Sequence, residues 1–266
     1  MDFTRRDFFL MGTVSLVLGS GCRRTGGSVI TSDGRLSARP HDGVKTSATG
    51  RIMLGIDRER DAILHIPKTA SKSPLPLLVM LHGATQNADD MFWYLGSAHE
   101  DAGVTVLAPN ARDTTWDAIV GGFGSDVEFL NRSLERSFEM VAIDPARVSV
   151  GGFSDGATYA LALGLINGDL FRNVLAFSPG FVIVVTPYGT KPRFFISHGT
   201  RDHILPIDRC GRRVVAELKA RGYDVTFREF DGDHEVPEEI AREGLSWVAG
   251  KSSAQARHRE VGSRRT

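Results

Sequence analysis

The stretch that most constrains the fold runs from Val148 to Leu163. Its first residues are apolar and predict a buried strand, and residues 157–163 predict the helix that follows. Between them stands Gly152-x-Ser154-x-Gly156, a pattern typical of a serine held on a sharp strand-to-helix turn. Glycine is needed on both sides because a side chain there would collide with neighbouring backbone. The turn would place the Ser154 hydroxyl at a helix N-terminus, where backbone N–H groups stabilise a developing negative charge. A serine in a glycine-rich turn without a chemical role is the alternative interpretation.

Strands and helices alternate along most of the chain after residue 50. Two short apolar runs, 51–56 and 61–67, predict an antiparallel hairpin. Asp144-Pro145 is a pair typical of a helix start. The alternation predicts an α/β fold in which a mostly parallel sheet carries helices on both faces. Further strands are predicted at 77–81, 104–109, 173–178, 194–198 and 225–230, and helices at 91–103, 126–140, 209–221 and 237–248.

Composition limits the class of protein. The chain has 266 residues, is 41% hydrophobic, and has a formal net charge of zero, so it can fill a sizeable core and shows no basic excess for nucleic acid. Its two cysteines, Cys22 and Cys210, exclude a fold built on disulfides and leave no cluster of soft metal ligands. We expect one main domain over residues 51–250, with no metal and no cofactor.

The first residues indicate export. Thr4-Arg5-Arg6-Asp7-Phe8-Phe9-Leu10 and the apolar run after it resemble a twin-arginine signal, which exports proteins in the folded state. Leu18-Gly19-Ser20-Gly21-Cys22 resembles a lipobox, although its leucine lies one position too early. We therefore expect a signal over residues 1–22, lipidation of Cys22, and a protein anchored to a membrane outside the cytoplasm. Residues 23–50 are predicted to be a disordered linker, and residues 251–266 a disordered basic tail.

A reactive serine needs a base, and the base needs an orienting acid. In a parallel sheet, functional groups collect at the carboxyl ends of strands. Asp202 follows one predicted strand end downstream of Ser154, and His234 follows the next. His203 is the alternative base, but it neighbours Asp202 and cannot easily reach the serine from the same loop. Asp231 and Asp233 are the alternative acids, and they are better placed to shape the turn that presents His234.

Four motifs together carry a resemblance to a known family. The chain resembles bacterial α/β-hydrolase esterases grouped as phospholipase/carboxylesterases, with the related polyhydroxybutyrate-depolymerase-like and feruloyl-esterase-like enzymes. The similarity runs from about residue 51 to residue 250. The motifs are Leu81-His82-Gly83-Ala84-Thr85-Gln86-Asn87, Gly152-Phe153-Ser154-Asp155-Gly156, His198-Gly199-Thr200-Arg201-Asp202 and Asp233-His234-Glu235-Val236-Pro237.

The resemblance implies an α/β-hydrolase fold and a serine esterase that forms an acyl-enzyme. It implies Ser154 as nucleophile, Asp202 as acid and His234 as base. The backbone N–H groups of Ala84 and Asp155 would form the oxyanion hole, while His82 braces its loop. The expected substrate is a small-molecule or polymeric ester. The alternatives are a serine peptidase on the same fold and a non-catalytic surface binding protein.

The cleft is expected to be open. The connection from residue 179 to residue 192 is too short for a helical cap, yet it contains the apolar run Phe181 to Val185. We expect Phe181 to line the acyl side of the cleft, with Trp116 from the loop 110–125 facing it. The alternative is that the run packs as an extra strand or wall.

Overall fold

The computed structural model describes residues 33–46, 48–68 and 74–250. The predicted signal over 1–22, including Cys22, and the predicted tail over 251–266 lie outside these residues. Within the described ranges, no helix has both the length and the apolar character needed to cross a membrane.

One eight-stranded sheet forms the centre of the fold, in the order β1-β2-β4-β3-β5-β6-β7-β8. The first hairpin, β1 with β2, is antiparallel, and β2 also pairs antiparallel with β4. All remaining pairs are parallel, which confirms the predicted mostly parallel sheet with an N-terminal antiparallel hairpin. The strands are β1 (Gly50–Met53), β2 (Ala62–Ile66), β3 (Leu75–Leu81), β4 (Thr105–Pro109), β5 (Ile143–Phe153), β6 (Asn173–Phe177), β7 (Arg193–Gly199) and β8 (Val225–Phe230).

Helices cover both faces of the sheet. Strand residues alternate between the two faces, so Leu77 and Val79 belong to one apolar core and Leu78 and Met80 to the other. The first core packs against α4, α5 and α6, and the second against α1, α2 and α7. The helices are α1 (Ala88–Leu95), α2 (Ala98–Ala102), α3 (Asp117–Val120), α4 (Ser125–Met140), α5 (Asp155–Ile166), α6 (Gly211–Ala220) and α7 (Glu238–Val248).

The helix predicted over 91–103 is two helices, because Gly96 has a positive φ of 49° and ends α1. The helix predicted to start at Asp144-Pro145 is wrong, since both residues lie within β5. The Asp144 side chain accepts hydrogen bonds from Ala146 N at 2.9 Å and Arg147 Nε at 2.7 Å. It therefore holds an irregular turn inside the strand, where the register against β3 shifts.

Part of the predicted linker is folded onto the domain. Leu36 is only 2% exposed, and its N–H donates to Asn167 Oδ1 at 2.8 Å. Ala38 N donates to Asn131 Oδ1 at 2.9 Å, and Arg35 pairs with Asp169. The prediction of a disordered linker over 23–50 is therefore wrong for residues 33–40. Asparagine side chains from α4 and the end of α5 satisfy the backbone of a segment that has no periodicity of its own.

Candidate active site

Ser154 occupies the sharp turn between β5 and α5. Its φ of 55° lies in a region that residues other than glycine rarely adopt. A Cβ atom at Gly152 would lie 2.3 Å from the backbone carbon of Gly156, and one at Gly156 would lie 2.1 Å from Leu81 O. Both flanking glycines are therefore required by close backbone contacts, as the spacing predicted. The half-buried serine hydroxyl stands at the N-terminus of a twelve-residue helix.

His234 connects Ser154 to Asp202. Its Nε2 lies 2.9 Å from Ser154 Oγ, and its Nδ1 lies 2.6 Å from Asp202 Oδ2. Asp202 follows β7 and His234 follows β8, so both side chains reach the serine from the carboxyl ends of neighbouring strands. The ring of Phe153 packs against the imidazole at 4.7 Å between centroids. The structure thus brings together the three side chains that the sequence singled out.

The buried Asp202 carboxylate is surrounded by hydrogen-bond donors. Oδ1 accepts from the backbone N–H groups of Ile204 at 3.0 Å and Leu205 at 2.7 Å. Oδ2 contacts both His234 and, at 3.2 Å, Nε2 of His198. Burial opposes ionisation, but the hydrogen bonds from His198, His234 and Leu205 outweigh it and hold the pKa of Asp202 well below its usual range.

The alternative base and acids are engaged elsewhere. The His203 side chain is 72% exposed, and its Nδ1 lies 2.8 Å from Asp233 Oδ1. Asp233 also accepts the backbone N–H of His234 at 2.7 Å, so it shapes the loop that presents the imidazole. Asp231 pairs with Arg201 at the surface.

The loop after β3 lies directly against the serine. A Cβ atom at Gly83 would stand 3.3 Å from Ser154 Cβ, so only glycine permits this approach without displacement. Gly83 N donates to Gln86 Oε1 at 2.9 Å, which ties the loop to itself. The N–H groups of Ala84 and Asp155 have no hydrogen-bond acceptor among the described residues. They are the two donors that the sequence assigned to an oxyanion.

His82 is a structural residue of this loop. It is fully buried, its Nδ1 lies 2.7 Å from Gly83 O, and its Nε2 accepts from Ala111 N at 3.0 Å. Burial lowers its pKa, which favours the neutral ring. Both nitrogens hold backbone, in agreement with the bracing role expected from the sequence.

The sequence suggested that Trp116 lines an open cleft, but the structure does not place it there. It is 0% exposed, stacks on Tyr159 at 5.3 Å, and donates its indole N–H to His82 O at 2.8 Å. The prediction is wrong because a large aromatic side chain in a polar loop can be buried in the core once its indole N–H finds a hydrogen-bond acceptor. Trp116 instead supports the loop carrying Gly83 and Ala84.

Residues 179–188 form neither a helix nor a strand, so neither the extra strand nor a helical cap is formed there. Ile183 is buried and Val182 and Val185 pack against the core, in agreement with the alternative that the apolar run forms a wall. Phe181 is half-buried and packs against the core on the α5 face of the sheet. Its contact with an acyl group stays a prediction.

Asp155 contributes a carboxylate beside the nucleophile. It is half-buried, and its Oδ2 accepts the Thr115 hydroxyl at 2.6 Å. Burial raises the pKa of Asp155, while the hydrogen bond from Thr115 and the nearby His234 oppose this. In the part of the chain that the structure describes, no group of three or more His, Cys, Asp or Glu side chains is arranged to hold a metal ion.

Comparison with known proteins shows which family part of the chain matches. Residues 117–243 match the family described as Phospholipase/Carboxylesterase. Acyl-protein thioesterase 1 of Gibberella zeae is 33% identical over 108 residues, which are 37% of this chain and 46% of that protein. S-formylglutathione hydrolase of Rattus norvegicus is 27% identical over 158 residues, 48% of this chain and 54% of that protein. The chain thus spans about half the length of these curated relatives.

The fold is shared more widely than the sequence. A truncated carbohydrate esterase from gut microbiota superposes with a TM-score of 0.62 at 15% identity, covering 80% of this chain and 98% of that one. Identity at this level establishes the fold alone. Together with the strand order, these similarities show that the chain has an α/β-hydrolase fold, and its residues 117–243 match the family described as Phospholipase/Carboxylesterase.

Proposed function

We propose that this protein is a serine hydrolase that cleaves carboxylic esters through an acyl-enzyme. One observation carries the proposal: Ser154, His234 and Asp202 form a continuous hydrogen-bonded relay, with distances of 2.9 Å and 2.6 Å. A serine hydroxyl is a weak nucleophile unless a base removes its proton as it attacks. The relay supplies that base and an anion to orient it.

In the proposed reaction, Ser154 Oγ attacks the ester carbonyl while His234 Nε2 takes its proton. Asp202 holds the imidazole through Nδ1 and stabilises the imidazolium that forms. The N–H groups of Ala84 and Asp155 donate to the oxyanion of the tetrahedral intermediate. His234 then protonates the departing alcohol, leaving an acyl group on Ser154. A water molecule, deprotonated by the same imidazole, hydrolyses the acyl-enzyme and releases the acid.

The substrate is proposed to be a small-molecule or polymeric ester. Two relatives are named as a thioesterase and as a hydrolase of S-formylglutathione. A thioester gives the same acyl-enzyme, with a thiol in place of the alcohol, so thioesters belong in any substrate screen. Phe181 is proposed to line the acyl side of the cleft, because it lies on the uncapped connection that follows β6.

Location is also a proposal. The twin-arginine pattern around Arg5 and Arg6 supports export in a folded state, and the lipobox-like sequence supports lipidation of Cys22. Multiple acylation at Cys22 would hold the enzyme on a membrane, whereas a single chain would anchor it only weakly. The folding of residues 33–40 onto the domain shortens the tether that the sequence alone had suggested.

Labelling with a fluorophosphonate probe tests the proposed nucleophile. The wild-type protein should gain one phosphonyl group per chain by mass spectrometry, and Ser154→Ala should gain none. Ser133→Ala is the matched control, since it removes a buried serine of α4 whose hydroxyl donates to the backbone at Phe129 O. Failure of the folded wild-type protein to react would favour the binding-protein alternative. Turnover of p-nitrophenyl esters, thioesters and peptide anilides by the unlabelled wild-type protein would separate an esterase from a peptidase.

A further inference from the structure

His198 is the second-last residue of β7, just before the loop that carries Asp202, and it is completely buried. Its Nε2 lies 2.7 Å from Leu205 O and 3.2 Å from Asp202 Oδ2. Both neighbours are acceptors, so this nitrogen carries a proton that is shared between them. Nδ1 is buried and has no hydrogen-bond partner among the described residues. A proton placed there would have no acceptor, which fixes the Nε2–H tautomer.

The space around His198 is closed. A Cβ atom at Gly211 would lie 2.6 Å from His198 Nδ1, so the start of α6 holds the ring from one side. This contact and the complete burial of His198 restrict movement of its N–H away from Asp202. A fixed donor inside the protein is more effective than one in water, because it does not need to be reoriented.

The consequence falls on one carboxylate oxygen. Oδ2 of Asp202 receives Nδ1–H of His234 at 2.6 Å and Nε2–H of His198 at 3.2 Å. The other oxygen is occupied by two backbone N–H groups. Two imidazoles thus share the negative charge of Asp202, and any donor that neutralises part of this charge leaves less of it to stabilise the protonated ring of His234.

We infer that His198 is a positioning residue for the acid–base pair, which orients the Asp202 carboxylate and limits the charge that His234 experiences. This inference rests on the proposed function. In the absence of the His198 donor, the His234 imidazolium is better stabilised, so the imidazole loses its proton at a higher pH. The reaction requires the neutral imidazole as base, and the acid limb of the activity profile then moves to higher pH.

The other charged and titratable groups near Asp202 and His234 are the same in all the variants compared below. His234 also faces Asp155 from α5 and Asp233 from its own loop. His198 lies opposite Glu229 of β8, which is paired with Arg212. Burial and the charge of Asp202 raise the pKa of the Cys210 thiol at the start of α6, so this thiol stays neutral.

The experiment compares variants of the full chain labelled with ¹³C and ¹⁵N at histidine. His198→Met removes the donor at similar volume, and His198→Asn keeps an amide that stops about one bond short of Asp202. His198→Gln is the rescue variant, because its amide nitrogen reaches the place of Nε2. Ile196→Val is the control for structural damage, since it weakens the packing of the same strand within the core and removes no hydrogen-bond donor.

The titration midpoint of His234 is followed by NMR in the absence of substrate. We expect it to rise by about half a pH unit or more, at least about a threefold change, in His198→Met and His198→Asn. His198→Gln and Ile196→Val should stay close to wild type. If the donor-free variants fold and titrate like wild type, or if Ile196→Val shifts equally, His198 has only a structural role and the inference fails.

Kinetics separates this result from the proposed function. If the protein hydrolyses esters, the midpoint of the acid limb of kcat/KM should move by the same amount as the NMR midpoint, with the plateau lowered less. If the His234 midpoint moves in the donor-free variants but the wild-type protein cleaves no ester, the role of His198 is retained and the proposed function is rejected. A variant that does not fold is replaced by the other donor-free variant, and stability is recorded for each by urea denaturation.

Discussion

The indole N–H of Trp116 donates to the carbonyl oxygen of His82 at 2.8 Å. Through this bond, the loop after β4 holds the loop after β3, whose Gly83 lies against Ser154. The ring is clamped in turn by Tyr159, whose hydroxyl bonds to Asp117 Oδ1 at 2.9 Å. A tryptophan expected to touch substrate is instead part of the support under the proposed oxyanion hole.

Trp116→Phe should lower kcat by about tenfold. The phenyl ring retains much of the packing, but the His82 carbonyl loses its buried donor, a loss that costs about 1–3 kcal/mol. The Ala84 N–H would then be held less accurately. Because the Trp116 side chain is completely buried, preference among p-nitrophenyl esters of different chain length should not change. Trp93→Phe, which alters an exposed tryptophan, is the control. A changed chain-length preference in Trp116→Phe would return this residue to the cleft.

Loss of Ser154 or His234 should nearly abolish turnover. Ser154→Ala and His234→Ala are each expected to reduce kcat by about 10⁴-fold or more, and the double variant should be little worse, because these residues act as a unit. His203→Ala is the control, since its exposed ring pairs with Asp233. Steady-state hydrolysis of p-nitrophenyl acetate provides the measurement. High activity of His234→Ala together with an inactive His203→Ala would reverse the assignment of the base.

Asp155 should discriminate against anionic substrates. Its carboxylate stands next to the nucleophile, and one of its oxygens is bound to Thr115. At pH 8, Asp155→Asn should raise kcat/KM by about tenfold for a p-nitrophenyl ester whose acyl group ends in a carboxylate, relative to a neutral ester of equal length. The effect should weaken with added salt. Asp208→Asn, which removes an exposed carboxylate paired with Arg212, should leave the ratio unchanged. An equal ratio in Asp155→Asn and wild type would contradict the prediction.

Asp126 should make stability depend on pH. Burial raises its pKa from 3.8 to about 6, although the N–H groups of Arg112 and Asp117 oppose this. The folded protein therefore retains a proton that the unfolded chain has lost, and this contribution to stability is complete below pH 3.8 and disappears as pH rises through 6. Between pH 6 and pH 4, the free energy of unfolding of wild type relative to Asp126→Asn should increase by about 1 kcal/mol per pH unit.

Urea denaturation of both proteins across this range measures the difference. Burial lowers the pKa of His99 to about 4, with a contribution from His65, and this titration acts in the opposite direction. It is present in both proteins and cancels from the comparison. A difference that stays flat with pH would show that Asp126 is already ionised in the folded protein.

Export should depend on the arginine pair. Replacing Arg5 and Arg6 by lysine should leave the protein in the cytoplasm, because the twin-arginine pattern is lost. Cys22→Ser should release exported protein from the membrane fraction to the soluble fraction, measured by fractionation and by mass of the N-terminal peptide. Membrane association that is unchanged in Cys22→Ser would reject the lipobox.

Several features follow from local sequence. The elbow requires glycine at 152 and 156 because a Cβ atom at either position would collide with backbone atoms, at 2.3 Å and 2.1 Å, and the spacing of these glycines is visible in the sequence. Continuous apolar runs specify buried strands, since a strand that lies between two helix layers has both faces buried. Ser154, Asp202 and His234 follow the carboxyl ends of β5, β7 and β8, so the predicted parallel sheet is enough to place them at the same edge.

Other features were decided only by tertiary contacts. Trp116 is buried, residues 33–40 are docked, and His198 shares the acid, because their partners lie on other segments of the chain. Asp144-Pro145 favours a helix start locally, yet pairing of β5 with β3 keeps it in a strand. Hydrophobic spacing specifies which face of an element is buried, whereas the destination of a single polar group depends on donors and acceptors brought close by the fold.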